Sequence, residues 1–237
     1  MLIFRRVLYN LHAKNNKVMT YSSNRKINKS FFLALLLVPT LFFLTTSYDK
    51  GKSKDLKIGK KMPLSNHVMS DVEDENYTLH DLFETNGLVV VFSCNTCPFV
   101  VGNDNFEGWE KQYNDLHQVA KDNNLGFVLV NSNEAKREGD DSKAEMKKHH
   151  ADQGYSMKYL IDKNSEIANA FGAKTTPHVF VFDADEKLYY RGAIDNSVES
   201  NAKEKQPYLI NAIESLAKNL ELEEATTPPR GCSIKRK

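Results

Sequence analysis

The segment Val89-Val90-Val91-Phe92-Ser93-Cys94-Asn95-Thr96-Cys97-Pro98 constrains the fold more than any other part of the chain. A strand covered on both faces is nearly continuously apolar, and Leu88 to Phe92 is such a run, so it predicts a central buried strand. Two cysteines two residues apart follow at the strand's carboxyl end. The helix expected there directs its free N–H groups and the positive end of its dipole at the first sulfur, which favours a thiolate on Cys94. Cys97, about one turn further in, is more shielded and stands where a second thiol attacks a mixed disulfide formed on Cys94. A zinc site needs four ligands, and no second C-x-x-C or spaced pair of histidines is present. Cys232 is distant in sequence, and His149 and His150 are adjacent. A redox dithiol is therefore favoured over a metal site or an inert staple, and no metal or other cofactor is expected.

Three segments in order carry a resemblance. Cys94-Asn95-Thr96-Cys97-Pro98-Phe99-Val100 resembles the active-site segment of the thioredoxin-like superfamily. It is most similar to bacterial thioredoxin-family proteins grouped with alkyl hydroperoxide reductase and thiol-specific antioxidant domains. Phe171 to Asp183, with Thr175-Thr176-Pro177 inside it, resembles the family's helix, cis-proline loop and following strand. Gly231-Cys232-Ser233-Ile234-Lys235 resembles a C-terminal signature of the same subgroup. The resemblance spans about Lys57 to Lys237. It implies a cis bond before Pro177 and Thr176-Pro177 packed beside Cys94, with the Thr176 backbone free to pair with an incoming polypeptide as an added strand.

The first 47 residues differ from the rest. They hold seven basic residues and no acidic one, while the whole 237-residue chain is only +1, so the remainder is net acidic and nucleic acid is an unsuitable partner. Phe31 to Leu44 is apolar apart from Thr40, shorter than the roughly 20 residues that span a bilayer, and is followed by Thr45-Thr46-Ser47. This is the pattern of a signal peptide over 1–47, with an uncleaved anchor as the alternative and the only route to a membrane. Export places the dithiol in an extracytoplasmic, oxidising compartment such as the periplasm, where it needs a redox partner. Residues 48–60, rich in lysine, glycine and serine, are expected to be a linker. Residues 61–222 form one domain, and 223–237 an exposed, semi-rigid tail carrying Cys232 beyond Pro228-Pro229.

Within the domain the pattern predicts a short N-terminal hairpin around Met62–Met69 and Tyr77–Leu79, then the central strand. After the cysteines the helix is weakened by Gly102 and Gly108, and Trp109, Tyr113, Leu116, Val119 and Ala120 recur at helical spacing. Phe127–Val130 is a second buried strand, Ser142–Gln153 a charged helix, Tyr159–Ile161 a strand and Ser165–Phe171 a helix. His149 and His150 are expected at a solvated helix end. Val179–Phe182 and Leu188–Tyr190 form a hairpin, and Pro207–Leu220 a helix with Leu209, Ile213, Leu216 and Leu220 on one face. Strands alternating with helices before a terminal hairpin argue an α/β, thioredoxin-like fold with a mixed sheet.

Departures from the family pattern matter too. Thioredoxins carry a buried aspartate six residues before the first cysteine, where this chain has Leu88, so either another group, such as Glu84 or a water, takes that role or the second thiol stays protonated longer. Peroxiredoxins place a proline and a threonine or serine upstream of their reactive cysteine. Neither Cys94, with Gly87 and Val91 there, nor Cys97, with Val90 and Cys94, has them. Arg191 is a candidate to bind an oxyanion or steady a thiolate. The expected activity is thiol-disulfide exchange with a protein substrate, Cys94 attacking, Cys97 resolving, and Cys232 an auxiliary thiol that folds back onto Cys94. Alternatives are a peroxiredoxin-like antioxidant peroxidase, a copper-handling thioredoxin-like module, and a non-catalytic domain that the cysteines only staple.

Overall fold

The computed structural model describes residues 55–198 and 204–237; the expected leader over 1–47 and the linker as far as residue 54 lie outside them. In chain order the elements are β1 (Met69–Asp71), β2 (Asn76–Tyr77), β3 (Gly87–Ser93), α1 (Pro98–Val101), α2 (Tyr113–Asp122), β4 (Leu125–Asn131), α3 (Lys143–Asp152), β5 (Lys158–Ile161), α4 (Glu166–Phe171), β6 (Thr175–Thr176), β7 (His178–Asp183), β8 (Leu188–Gly192), α5 (Tyr208–Ala217) and β9 (Cys232–Ser233). Seven strands form one mixed sheet in the order β2-β1-β5-β4-β3-β7-β8. β3 runs parallel to β4 and antiparallel to β7, and all seven of its residues are buried. The continuous apolar run is thus explained by cover on both faces. Leu88, Val90 and Phe92 pack with Ile167 and Phe171 of α4 on one side; Val89 and Val91 pack with Tyr113 of α2 and Leu209 and Ile213 of α5 on the other. Each such side chain contributes about 1.5–3 kcal/mol on burial. This is the α/β thioredoxin-like fold.

Local chemistry sets the element ends. α1 stops after one turn because Gly102 takes φ 93°, and a β-carbon there would lie 2.5 Å from the Glu107 carbonyl oxygen. Ser142 caps α3, its hydroxyl accepting from the Glu145 N–H at 3.3 Å. α5 ends at Ala217 rather than Leu220, because Asn219 turns into the left-handed region at φ 54°. Leu220 is therefore exposed instead of continuing the buried face of Leu209, Ile213 and Leu216.

Two boundaries shift. The expected linker belongs to the domain from Asp55 onward: Leu56 packs on the α4 side of the core and its N–H donates to the Phe171 carbonyl at 3.1 Å, while the Gly59 N–H reaches the Leu188 carbonyl at 2.7 Å. The C-terminal segment is not a free tail. Thr227 is buried against Tyr190, Ile234 is buried, the Ile234 N–H donates to the Lys174 carbonyl at 3.0 Å, and β9 pairs antiparallel with β6. Apolar Ile234 and the unpaired edge of β6 give it somewhere to dock. The two histidines of α3 are likewise engaged rather than solvated: His149 Nε2 lies 2.7 Å from the buried Glu110 carboxylate, and His150 Nε2 3.0 Å from the Met157 carbonyl.

Candidate active site

β3 ends at Ser93, and Cys94, Asn95 and Thr96 form a turn that delivers the chain to α1. Cys97 is the cap residue of that helix and Pro98 its first position. Proline suits that place because its missing N–H would have had no helical partner. The helix therefore begins after the second cysteine, not at the first. The expectation that the helix start steadies a thiolate on Cys94 is corrected accordingly, since the donors converge on Cys97.

The two sulfurs meet at Thr176, the last residue of β6. Cys94 Sγ lies 3.1 Å from the Thr176 hydroxyl, and Cys97 Sγ lies 3.1 Å from the Thr176 carbonyl oxygen, to which it donates when protonated. The peptide bond joining Thr176 to Pro177 is cis. Both thiols are buried. The Cys97 thiol is lowered to about 5, chiefly because the Cys94 thiol donates to its sulfur. Burial opposes this, and the Cys232 thiol together with the backbone N–H groups of Cys232 and Phe99 reinforces it. Cys94 is pushed the other way, well above the ordinary thiol range. The causes are its bond to Cys97, burial, and the charges of Cys97 and Asp141, against a weaker lowering by the Thr176 hydroxyl. Two buried thiols this close hold one negative charge between them, and the larger donor set places it on Cys97.

A buried polar network lies under the turn. The Asp141 carboxylate accepts from the Asn95 N–H at 3.0 Å, from Asn131 Nδ2 at 2.7 Å and from Asn133 Nδ2 at 2.9 Å, and the Tyr159 hydroxyl donates to Asn95 Oδ1 at 3.0 Å. Asp141 is fully buried, and its charge is among the causes that raise Cys94. Glu84, the expected substitute, is exposed in the turn before β3, at the strand end away from the cysteines. Asp141 went unmarked because it lies in a polar stretch without apolar periodicity; its only signal was an acidic residue beside the cap of a helix. An open polar cleft of about 390 Å³ flanks the turn, lined by Asn95, Thr96, Glu138, Asp140 and Glu145 among others, but neither Cys94 nor Cys97 lines it.

The remaining expected site residues fall in different places. Thr176 and Pro177 are at the thiols, but the Thr176 backbone is already paired, in register with Cys232 of the chain's own β9. Cys232 is also at the site, though against Cys97 rather than Cys94: its N–H points at Cys97 Sγ, with a separation of 3.4 Å. The Cys232 thiol is raised to about 11 by burial and by the neighbouring Cys97. Arg191 is not engaged with a sulfur. Its guanidinium pairs with Asp55 at 3.1 Å, on β8 beyond β7, and it is thereby removed from thiolate or oxyanion binding.

Residues 57–205 match the family described as Redoxin. Among solved structures, an uncharacterized conserved protein from Geobacillus kaustophilus is 31% identical with a TM-score of 0.69, covering 78% of this chain and 95% of that one. A hypothetical protein from Sinorhizobium meliloti 1021 is 27% identical with a TM-score of 0.65, covering 78% and 97%. No curated protein matches the chain.

Proposed function

The chain belongs to the redoxin family, a family of thiol redox proteins, and from that premise we propose that it exchanges disulfides with a polypeptide through Cys94 and Cys97 outside the cytoplasm. The observation that carries the reading is the meeting of the two sulfurs at Thr176, with the Cys97 thiol lowered to about 5. A thiolate on Cys97 is a good leaving group in disulfide exchange, and the Cys94 thiol beside it is the partner that closes the inner disulfide. Peroxide chemistry has less support, because neither sulfur has an upstream proline and threonine, and Arg191 is held by Asp55. The leader's charge and apolar stretch are the support for export.

The test is turnover of a disulfide-bonded protein by residues 55–237 with a small-thiol reductant. The wild type is expected to exchange, and Cys97→Ser to lose exchange. Retained exchange in Cys97→Ser, or hydrogen peroxide consumed much faster than any protein disulfide, overturns the reading. A reporter fused after Asp49 is expected outside the cytoplasm, and its retention inside removes the localisation.

A further inference from the structure

Both thiols of the C-x-x-C pair are buried, and a third thiol stands over one of them. Cys232 is partly exposed, packs against the cluster that contains Cys94 and Cys97, and directs its N–H at Cys97 Sγ, 3.4 Å away. It is held there by backbone geometry. Thr175 pairs with Ser233 and Thr176 with Cys232 in an antiparallel ladder, so Cys232 faces the residue whose hydroxyl and carbonyl touch the two inner sulfurs. Gly231 permits this approach, since a β-carbon on it would lie 2.3 Å from the Thr176 carbonyl oxygen. On either side the segment is anchored by the Lys235 N–H on Asn133 Oδ1 at 2.8 Å and by the Thr227 N–H on the Arg191 carbonyl at 3.1 Å. The chain's own C-terminus occupies the strand position that an incoming polypeptide would use, and presents a cysteine where such a polypeptide would present one.

We propose that Cys232 is the outer thiol of a three-cysteine relay: the disulfide on Cys97 passes between Cys94 inside and Cys232 outside, and partners exchange at Cys232. The inner step is an isomerisation. The Cys94 sulfur attacks Cys97 Sγ of a Cys97–Cys232 disulfide, the bond to Cys232 breaks, and the proton leaving Cys94 ends on Cys232. No electrons are gained or lost. The outer step is with a polypeptide carrying a pair of cysteine thiols. One of its thiolates attacks Cys232 Sγ, the Cys97–Cys232 bond breaks, and Cys97 departs as a thiolate. The partner's second thiolate then attacks the partner sulfur of the mixed disulfide and releases Cys232, which takes up a proton. The partner loses two electrons and the protein's disulfide gains them; the reverse sequence reduces a partner disulfide. The asymmetry of the two sulfurs suits the outer step. A thiolate arriving from solvent meets the partly exposed Cys232 before the buried Cys97, and the low-pKa Cys97 is the better leaving group.

This rests on the disulfide-exchange reading above, and its test is chosen to fail separately. Cys94→Ser is oxidised and its disulfides mapped by mass spectrometry, then treated with a peptide carrying one cysteine. A Cys97–Cys232 bond is expected first, and a mixed disulfide on Cys232 afterwards. In the wild type under graded oxidation, the Cys97–Cys232 bond is expected alongside Cys94–Cys97. Gly231→Ala, which crowds the tail against Thr176, is expected to deplete the Cys97–Cys232 bond and keep the Cys94–Cys97 bond. Cys232→Ser is expected to lose exchange with protein partners. Absence of the Cys97–Cys232 bond in both wild type and Cys94→Ser, or a mixed disulfide on Cys97 instead, overturns the relay. So does full exchange by Cys232→Ser. If the wild type shows the Cys97–Cys232 bond but no exchange with any protein, the exchange reading fails rather than the geometry.

Discussion

Reactivity in this site is decided by which sulfur carries the charge, and one buried carboxylate bears on that choice. Asp141 touches neither sulfur, yet its charge is among the causes that raise Cys94, and charges act strongly where water is excluded. Its three bonds to Asn95, Asn131 and Asn133 keep it in place. Asp141→Asn retains an oxygen for the Asn95 N–H and removes the charge. In a Cys97→Ser background, where Cys94 is the remaining inner thiol, the alkylation midpoint of Cys94 should move to lower pH on this substitution. An unmoved midpoint would mean that Asp141 serves only to hold the turn. In the wild type, alkylation of Cys97 should rise with pH through about 5 and level off above it, because the reactive species is the thiolate.

At the level of elements, the same logic of buried acceptors explains how α4 is held. The Asp162 carboxylate accepts from the Ile167 N–H and the Ala168 N–H at 3.0 Å each and from the Ser132 hydroxyl at 2.6 Å, tying the first turn of α4 to the end of β4. Asp162→Ala leaves those donors buried without a partner and should cost about 1–3 kcal/mol, read as a lower urea midpoint at unchanged slope. Such ties were illegible in the sequence, whereas β3, β4, β7 and α2 were legible, and the difference is physical. Val89 to Phe92 announces itself because each residue is apolar in its own right. Asp162 and Asp141 are polar residues whose burial depends on how neighbouring loops close around them, and the β6 to β9 pairing joins Thr176 to Cys232 far along the chain. The motif located the two cysteines by spacing, but the start of α1, one turn later than expected, is set by Pro98 and moved the donors from Cys94 to Cys97.

Taken as a whole, the molecule is expected to weaken toward acid through one histidine in particular. His178 opens β7, is 1% exposed, and accepts the Lys174 N–H on Nδ1 at 3.2 Å, so the folded ring is neutral at that nitrogen. Burial pushes it down to about 3, and the Arg191 and Lys174 charges add to the shift while Asp55 opposes it. Between that value and the ordinary 6.5 the unfolded chain binds a proton that the folded chain refuses, so stability falls as pH falls. Each pH unit in this window costs about 1.4 kcal/mol, or roughly 2 kcal/mol between pH 7 and pH 5. His117, lowered by partial burial, adds in the same direction, while the lowered carboxylates of Asp55, Asp71 and Asp195 lose their contribution only below their ordinary value of 3.8. Cys97 works in the same direction too, since a thiolate held at about 5 stabilises the reduced fold above that pH and loses the effect as pH falls through it. The measurement therefore belongs in a Cys97→Ser background, where the sulfur no longer titrates. There His178→Asn keeps an acceptor near the Lys174 N–H and removes the titrating ring. It should be less stable at pH 7 through lost packing, and the fall in urea midpoint from pH 7 to pH 5 should shrink. An undiminished fall would place the acid sensitivity elsewhere in the molecule.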